Sequence, residues 1–215
     1  IDDDYGTVFA KTKVELDGVK ANVRTHETNL GDLITDALVW GAGKNGTKVD
    51  AAVTNGGGIR AAIKAGDITK KDVFTVLPFG NTLTVVNVTG AELLEALEAA
   101  TFCTPAPLGG FPQTAGMKLT VDCTKDYDKN DTTYPGSTYY GPKSINRVTI
   151  ESINGKPFDK AIRNDVFASC QPDYIAGISL LGGEPMEPEN QRELLPFVRN
   201  FKALYPKKTV WCYSG

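Results

Sequence analysis

The sequence predicts a mixed α/β (α+β) fold, because segments in which apolar side chains alternate with polar ones are interleaved with segments of helical spacing. Residues 5–17 alternate in this way and close on an Asp-Gly pair, a pattern typical of a strand and turn. From Asn29 the apolar residues recur every three or four positions, which predicts a helix that ends at Gly41 and Gly43. No linker divides the 215 residues, so we expect a single domain over 1–215.

The same patterns place the remaining elements. Residues 49–53 form an apolar run typical of a short buried strand, and residues 82–88 predict another strand. Thr69 is expected to cap a short helix, and Thr89-Gly-Ala-Glu92 matches a capping box in front of a second one. Further predictions are a strand at 117–121, a polar loop or hairpin at 125–141, a hairpin through Asn154-Gly155, a returning segment at 161–168, and a C-terminal amphipathic helix carrying Leu194, Phe197, Val198, Phe201 and Leu204.

Charge and hydropathy exclude two classes of partner. The net charge is -3 and no long basic run is present, so we expect no nucleic-acid partner and no anionic membrane surface as partner. No window of eighteen consecutive apolar residues occurs, so no membrane span is expected. The chain opens on Ile-Asp-Asp-Asp, which is neither a signal peptide nor a start methionine, and we expect an excised domain or a processed product.

The cysteines and the glycosylation tripeptides indicate in which compartment the protein is located. The four cysteines are Cys103, Cys123, Cys170 and Cys212. Their wide spacing excludes a C-x-x-C motif, and their even number fits two disulfides in an exported protein, although buried free thiols would fit as well. Sequons at Asn45, Asn87 and Asn130 are compatible with export. Together these features favour an extracytoplasmic location: secreted, periplasmic or at the cell surface.

The inventory of reactive side chains excludes several kinds of catalytic site. His26 is the single histidine, so the chain cannot supply an imidazole-rich two-metal centre. There is no G-x-S-x-G elbow, and the glycine stretch at 55–60 lacks the Gly-Lys-Ser/Thr ending of a P-loop. Residues 41–46 match G-x-G-x-x-G but follow a helix and precede a strand, which is the wrong context for a dinucleotide site. The pattern therefore favours binding over bond cleavage.

The stretch 55–60, Asn-Gly-Gly-Gly-Ile-Arg, is the first candidate for a binding site. Consecutive glycines are costly in regular structure, and they are expected where backbone reaches positive φ or lies directly against another group. Arg60 adds a planar fork of donors suited to phosphate, carboxylate or vicinal hydroxyls. The alternative is a glycine turn with a solvated arginine.

Other side chains have the chemistry to bind a nucleotide. Arg24 and Arg60 offer positive forks for phosphate, Phe79 offers a ring face for a flat base, and the amides of Asn55 and Asn81 can both donate and accept. The alternatives are that Phe79 and Phe167 are core residues and that Arg24 pairs with Glu27 on a solvated face.

Five stretches of the chain resemble, in order and spacing, the C-terminal domain of the 5'-nucleotidase family. They are residues 24–37, 55–60, 66–69, 77–81 and 111–116. The resemblance runs from about residue 5 to about residue 205. It implies a four-layer α-β-β-α sandwich that binds the nucleoside part of the substrate. It also implies an N-terminal calcineurin-like metallophosphoesterase domain, absent from this chain, that carries two divalent metal ions and performs hydrolysis.

The resemblance also implies roles for individual residues. Arg24 and Arg60 resemble the arginines that contact ribose and phosphate. The loop of Asn55 and the Gly58 backbone resembles the one that approaches sugar and base. Phe79 resembles one half of an aromatic clamp on the base, Asn81 a polar neighbour of the base, and Gly116 a backbone contact at its edge.

The second half of the clamp has two possible alignments. The family pattern reads Asn-Asp-Phe, a short run, then Gly-Gly-Asp-Gly-Tyr, and this chain lacks the Gly-Gly pair. Alignment on residues 164–165 puts Val166 at the aromatic and Pro172 at the aspartate. A slip of one residue puts Phe167 and Asp173 there, which retains a stacking ring and an acceptor for the ribose diol. We favour the second alignment.

The resemblance implies that the intact enzyme hydrolyses nucleoside phosphates to nucleoside and phosphate, and that this domain positions the substrate. No catalytic or metal-binding residue is expected within the chain, and the isolated domain is expected to be inactive. Alternatives are a sibling specificity, as a UDP-sugar hydrolase, a 2',3'-cyclic phosphodiesterase or a thiosulfohydrolase, and a non-catalytic scaffold with a degenerate clamp.

Overall fold

The computed structural model describes residues 5–158, 166–180 and 188–212. The mixed α/β class is confirmed. The helices are α1 (Asn29–Lys44), α2 (Lys70–Val76), α3 (Gly90–Ala100) and α4 (Pro188–Leu204). The strands are β1 (Val8–Thr12), β2 (Ala52–Asn55), β3 (Gly66–Thr69), β4 (Pro112–Ala115), β5 (Met117–Val121), β6 (Lys129–Thr133), β7 (Tyr140–Pro142), β8 (Val148–Ile153), β9 (Lys156–Pro157), β10 (Gly177–Leu180) and β11 (Thr209–Cys212).

The chain divides into two compact units, Ile1–Phe158 and Asp159–Gly215. In the first unit the strands form short antiparallel sheets: β1 with β3, β2 with β4, β5 with β8 and β9, and β6 with β7. In the second unit β10 and β11 pair in parallel. The single domain over residues 1–215 and the four-layer arrangement stay predictions.

The core of the first unit surrounds the glycine stretch. Ile59, the residue directly after the glycines, is 2% exposed. It belongs to a buried apolar cluster to which the region before α1, α1 itself, β3 and α2 all contribute: Leu16, Val23, Leu30, Ile59, Ile63, Ile68 and Val76. The glycine stretch is therefore anchored in the core at its C-terminal end.

The predicted helix starts at Thr69 and Thr89 are confirmed. At α2 the Thr69 hydroxyl accepts from the Asp72 N–H, and the Asp72 carboxylate accepts from the Thr69 N–H. Thr89 and Glu92 form the same reciprocal pair at α3. Each box satisfies donors that the first helical turn leaves without partners.

The predicted end of α1 at Gly41 and Gly43 is wrong, because the helix continues to Lys44. A glycine inside a helix costs about 1 kcal/mol, which weakens the helix without ending it. The stop follows at Asn45 and at Gly46, whose φ of 80° is the left-handed conformation that terminates helices.

Three of the predicted strands differ from the structure. Within residues 5–17 the strand β1 is limited to Val8–Thr12. β2 begins at Ala52 rather than at residue 49. The segment 82–88 forms no strand within the described ranges, and Val85, Val86 and Val88 are exposed. Its β-branched composition gives strand propensity, but a strand exists only where a neighbouring backbone pairs with it.

Both predicted hairpins are present. β8 and β9 are joined by Asn154 and Gly155, whose φ values of 49° and 70° are those that a two-residue type I′ turn requires. The polar insert contains the antiparallel pair β6 and β7.

The second unit is organised around the C-terminal helix. The predicted helix is confirmed as α4, and Phe201 on it is 0% exposed. Phe201 packs with Phe167 and Cys170. Leu204, predicted on the same apolar face, is 60% exposed. Of the predicted returning segment, residues 161–165 lie outside the described residues. Over the described ranges, no helix is both long and apolar enough to cross a membrane.

The expectation of two disulfides is not supported. Cys103, Cys123 and Cys170 are free thiols. The Cys103 sulfur lies 3.6 Å from the Ala106 carbonyl oxygen, and the Cys123 sulfur lies 3.7 Å from that of Val121, so each is directed at its own local turn.

Candidate functional site

The glycine stretch forms a tight turn at the end of β2. Gly56–Gly58 is a single turn of 3-10 helix. A Cβ on Gly56 would lie 1.7 Å from the Val23 carbonyl oxygen, and one on Gly57 would lie 2.7 Å from that of Gly109. The groups that lie directly against the glycines are thus backbone carbonyls of the same chain, at Val23 and Gly109. The Gly56 and Gly57 N–H groups donate to the carbonyls of Phe111 and Gly109.

A cleft of about 570 Å³ lies against this turn and collects four of the predicted residues: Asn55, Gly58, Phe79 and Asn81. α1 contributes Ile34 and Leu38 as an apolar wall. A volume of this size suits a small organic ligand.

Phe79 lines this cleft and contacts Arg60, which is not itself one of the lining residues. The Phe79 side chain is 60% exposed, and the Arg60 guanidinium carbon lies 5.7 Å from its ring centroid. Hydrogen bonds hold both the backbone and the guanidinium of Arg60. Its backbone N–H donates to the Val76 carbonyl at 2.9 Å, and its Nη1 donates to the Gly57 carbonyl at 3.1 Å. The oriented cation therefore lies over the exposed ring.

Asn55 presents its amide at the start of the same turn. Its Nδ2 donates to the Gly109 carbonyl at 3.1 Å. A Cβ on Gly58 would lie 3.2 Å from the Asn55 Oδ1, so a glycine at 58 leaves room around this oxygen. The held amide offers Oδ1 as an acceptor to a ligand donor.

Arg24 and Gly116 lie elsewhere in the first unit and do not line the cleft. Arg24 is half-buried on the segment behind the glycine turn, and its carbonyl accepts from the Leu108 N–H. Its Nε is buried without a hydrogen-bond partner in the described part of the chain. Gly116 has a φ of 75°, and a Cβ there would lie 2.4 Å from the Asp50 carbonyl oxygen. The ligand contacts of Arg24 and Gly116 stay predictions.

Gln113 organises this region, and the sequence analysis did not single it out. The side chain is 1% exposed on β4. Its Oε1 accepts from the Thr28 N–H, and its Nε2 donates to the carbonyls of Val23 and His26. Gln113 thereby ties the entry of α1 to the strand that pairs with β2. A polar residue between the inward-facing Phe111 and Ala115 is the signal that could have identified it.

Phe167 and Asp173 belong to the second unit, where their surroundings differ. Phe167 is 7% exposed, and its ring packs against the rings of Phe197, Phe201 and Tyr205. Stacking on a base would require one of its faces to be freed. Asp173 is exposed on a turn. Their assignment as the second ring and the diol acceptor stays a prediction, and residues 164–165, on which the alternative alignment rests, lie outside the described residues.

A second concavity of about 490 Å³ lies between α3 and the β6–β7 hairpin. It is lined by Ala96, Ala99, Tyr134 and Tyr139, and it contains none of the predicted residues. Across the described ranges, no group of three or more His, Cys, Asp and Glu side chains is placed to hold a metal ion.

In this α/β unit a glycine turn and an exposed ring line one cleft, and an oriented guanidinium lies over that ring. The family model "5'-nucleotidase, C-terminal domain" matches residues 8–178. The chain therefore belongs to the 5'-nucleotidase C-terminal domain family, and the resemblance is confirmed.

Individual relatives agree with this assignment. A 5'-nucleotidase of Vibrio parahaemolyticus is 36% identical over 167 residues, which cover 78% of this chain and 27% of that protein. The trifunctional nucleotide phosphoesterase protein YfkN of Bacillus subtilis is 49% identical over 109 residues, 51% of this chain and 7% of YfkN. The crystal structure of a 5'-nucleotidase precursor from Thermus thermophilus is similar with a TM-score of 0.54 and 36% identity, over 67% of this chain and 29% of that one. The chain thus spans less than a third of the length of each of these relatives.

Proposed function

We propose that this chain binds the nucleoside part of a nucleotide that a 5'-nucleotidase-type hydrolase cleaves to nucleoside and phosphate. The observation that carries the proposal is the cleft lined by the exposed Phe79 and by Asn55, with the Arg60 guanidinium over the Phe79 ring. A base stacked on the Phe79 ring would gain about 1–3 kcal/mol. Arg60 has further donors for a phosphate oxygen, and Asn55 and Asn81 supply amides for the edges of base or sugar.

The remaining residues of the site enter the proposal through the family resemblance. Arg24 serves as a second cation for ribose or phosphate, and its buried, unpartnered Nε supports this role, because such a donor is stabilised by an anion. Gly116 contacts the edge of the base through its backbone. Phe167 and Asp173 serve as the second ring and as the acceptor for the ribose hydroxyls.

Hydrolysis is assigned to an N-terminal metallophosphoesterase domain of the parent protein, which would hold two divalent metal ions. The described residues of this chain offer no ligand set for them. The chain would contribute by orienting the substrate, and positioning of this kind supplies several kcal/mol of a catalytic barrier. We place the parent protein outside the cytoplasm, which the sequons at Asn45, Asn87 and Asn130 support.

The test is binding of adenosine, guanosine, uridine and cytidine to the 215-residue chain, measured by titration calorimetry and NMR shifts. We expect weak binding of at least one nucleoside, and Phe79→Ala should weaken it about tenfold or more. Phe9→Ala is the matched control, because Phe9 is 59% exposed on β1, away from the cleft. Equal affinities for the two variants would contradict the proposal.

A second assay tests the division of labour. Adenosine monophosphate incubated with the purified chain and Mg²⁺ or Mn²⁺ should release no phosphate. Release at a rate proportional to the concentration of the chain, and retained through further purification, would overturn the assignment of catalysis to another domain.

The burial of Phe167 favours a second candidate, a non-catalytic binding or scaffold module with a degenerate clamp. Sibling specificities form a third group, and a thermal-shift panel with a UDP-sugar, a 2',3'-cyclic nucleotide, thiosulfate and nucleosides separates all of them. A ligand at about a hundred times its Kd stabilises by about 2.7 kcal/mol. Stabilisation by no member of the panel would favour the scaffold.

A further inference from the structure

A lysine near the C-terminus holds the turn that carries Asp173. The Lys208 Nζ donates to the Pro172 carbonyl at 2.8 Å and to the Ile175 carbonyl at 2.7 Å. The Ile175 N–H also donates to the Pro172 carbonyl, at 3.1 Å, and closes the turn. The two carbonyls that Lys208 contacts therefore lie on either side of Asp173 and Tyr174 in the sequence.

Lys208 is itself held in place. Its N–H donates to the Tyr205 carbonyl at 3.1 Å, and its ammonium lies 5.7 Å from the Tyr205 ring centroid. The next residue, Thr209, begins β11 and donates its N–H to the Ala176 carbonyl at 2.9 Å. An ammonium with three donors, anchored at the base of its side chain, can fix the geometry of two carbonyls at once.

Tyr205, which holds Lys208, also contacts Phe167, the other residue of this unit that is predicted to bind the substrate. The Tyr205 hydroxyl donates to the Phe167 carbonyl at 2.7 Å. The backbone at Phe167 and the turn of Asp173 are thus both held by side chains from the segment 205–208. These contacts occur in a chain that lacks the Gly-Gly pair of the family pattern before the aspartate.

We propose that Lys208 is a positioning residue that sets the direction of the exposed Asp173 carboxylate for a ribose diol. The inference rests on the proposed function and adds a residue that determines specificity for ribose. Without the ammonium, the Pro172 and Ile175 carbonyls lose charge-assisted hydrogen bonds, and the turn samples orientations that do not present the carboxylate.

The experiment compares two ligands on each protein: the ribonucleoside that binds tightest and its 2',3'-dideoxy counterpart. The ratio of their Kd values isolates the diol contact, because a loss of folded protein lowers both apparent affinities equally. We expect a ratio of about ten for the unmodified chain. Asp173→Asn and Lys208→Met should bring it close to one, and Lys207→Met, an exposed neighbouring lysine, should leave it unchanged.

Further variants separate positioning from folding. Lys208→Arg can still donate to both carbonyls and should restore most of the ratio. Lys208→Gln, which retains one donor group, replaces Lys208→Met if the latter does not fold. An unchanged ratio in Lys208→Met or Lys208→Gln, with Asp173→Asn showing the loss, would overturn the inference and leave the proposed function intact. Absence of nucleoside binding to the unmodified chain would overturn both.

Discussion

Phe79 and Phe167 were predicted to share one task, and the structure gives them opposite surroundings. Phe79 is 60% exposed at a cleft, beside a cation. Phe167 is 7% exposed and packs against three other rings. A ring that stands free is available to a ligand and contributes little to folding, whereas a packed ring stabilises its unit and has little surface left to offer. The sequence around each phenylalanine did not show that Phe79 is exposed and Phe167 is buried.

The largest expected effect is on stability and is confined to the second unit. Phe167→Ala removes a ring from a packed cluster and should lower the free energy of unfolding by about 3–5 kcal/mol, whereas Phe79→Ala should change it by less than about 0.5 kcal/mol. Denaturant unfolding followed by fluorescence measures this. Trp211 on β11 reports the second unit when Trp40 is replaced by phenylalanine. A small effect of Phe167→Ala would remove the contrast between the two rings.

A somewhat smaller loss is expected from Gln113→Leu in the first unit. The substitution removes the partner of the Thr28 N–H and of the Val23 carbonyl, both buried, and of the part-buried His26 carbonyl. A buried group left without a partner costs about 1–3 kcal/mol. At about 1 kcal/mol for each of the three groups, the low end of that range, we expect a total loss of about 3 kcal/mol, together with faster amide exchange at the start of α1.

The control for that substitution is Gln171→Leu, at an exposed glutamine. Gln113→Leu should also weaken nucleoside binding at the cleft, although Gln113 does not line it. Weaker binding would show that nucleoside binding at Phe79 depends on the buried Gln113, which does not line the cleft. A stable Gln113→Leu variant with normal affinity would contradict that dependence.

The sequence predicted the elements that local chemistry determines. The capping boxes at Thr69 and Thr89 and the Asn154-Gly155 turn depend on residues within one or two turns of chain, and all are present. The strand at 82–88 was wrong because pairing depends on distant backbone. The family resemblance predicted that four residues share one site, and they line one cleft: Asn55, Gly58, Phe79 and Asn81. Gln113 and Lys208 contact carbonyls that are distant in the sequence, and no local pattern reveals such contacts.

The smallest expected effect is a pH dependence at the helix that leads into Phe79. Hydrogen bonds from the Thr69 hydroxyl and N–H hold the pKa of Asp72 below its usual value. Because the folded-state pKa is lowered, this stabilisation is present above the unfolded-state pKa and is lost as the pH falls through the lower, folded-state pKa. Hydrogen bonds from Thr89 lower the pKa of Glu92 in the same direction.

Asp72→Asn should therefore reduce the acid dependence of stability below about pH 4, by about 0.5 kcal/mol for this half-buried cap. Unfolding measured at several pH values in the chain and the variant tests this. Asp126→Asn, in the polar insert, serves as the control, and an equal change in both variants would show that the cap has no specific role.

The two walls of the cleft are built differently, and this decides how the domain can be altered. The glycine turn cannot accept a side chain at residues 56 and 57 without a collision with backbone. Another part of the lining, the stretch from Leu77 to Thr84, belongs to no sheet in the described residues. A combinatorial library aimed at new ligands should keep the first wall fixed and vary Asn81, Leu83 and Thr84, where substitutions change the shape of the cleft at little expense to folding.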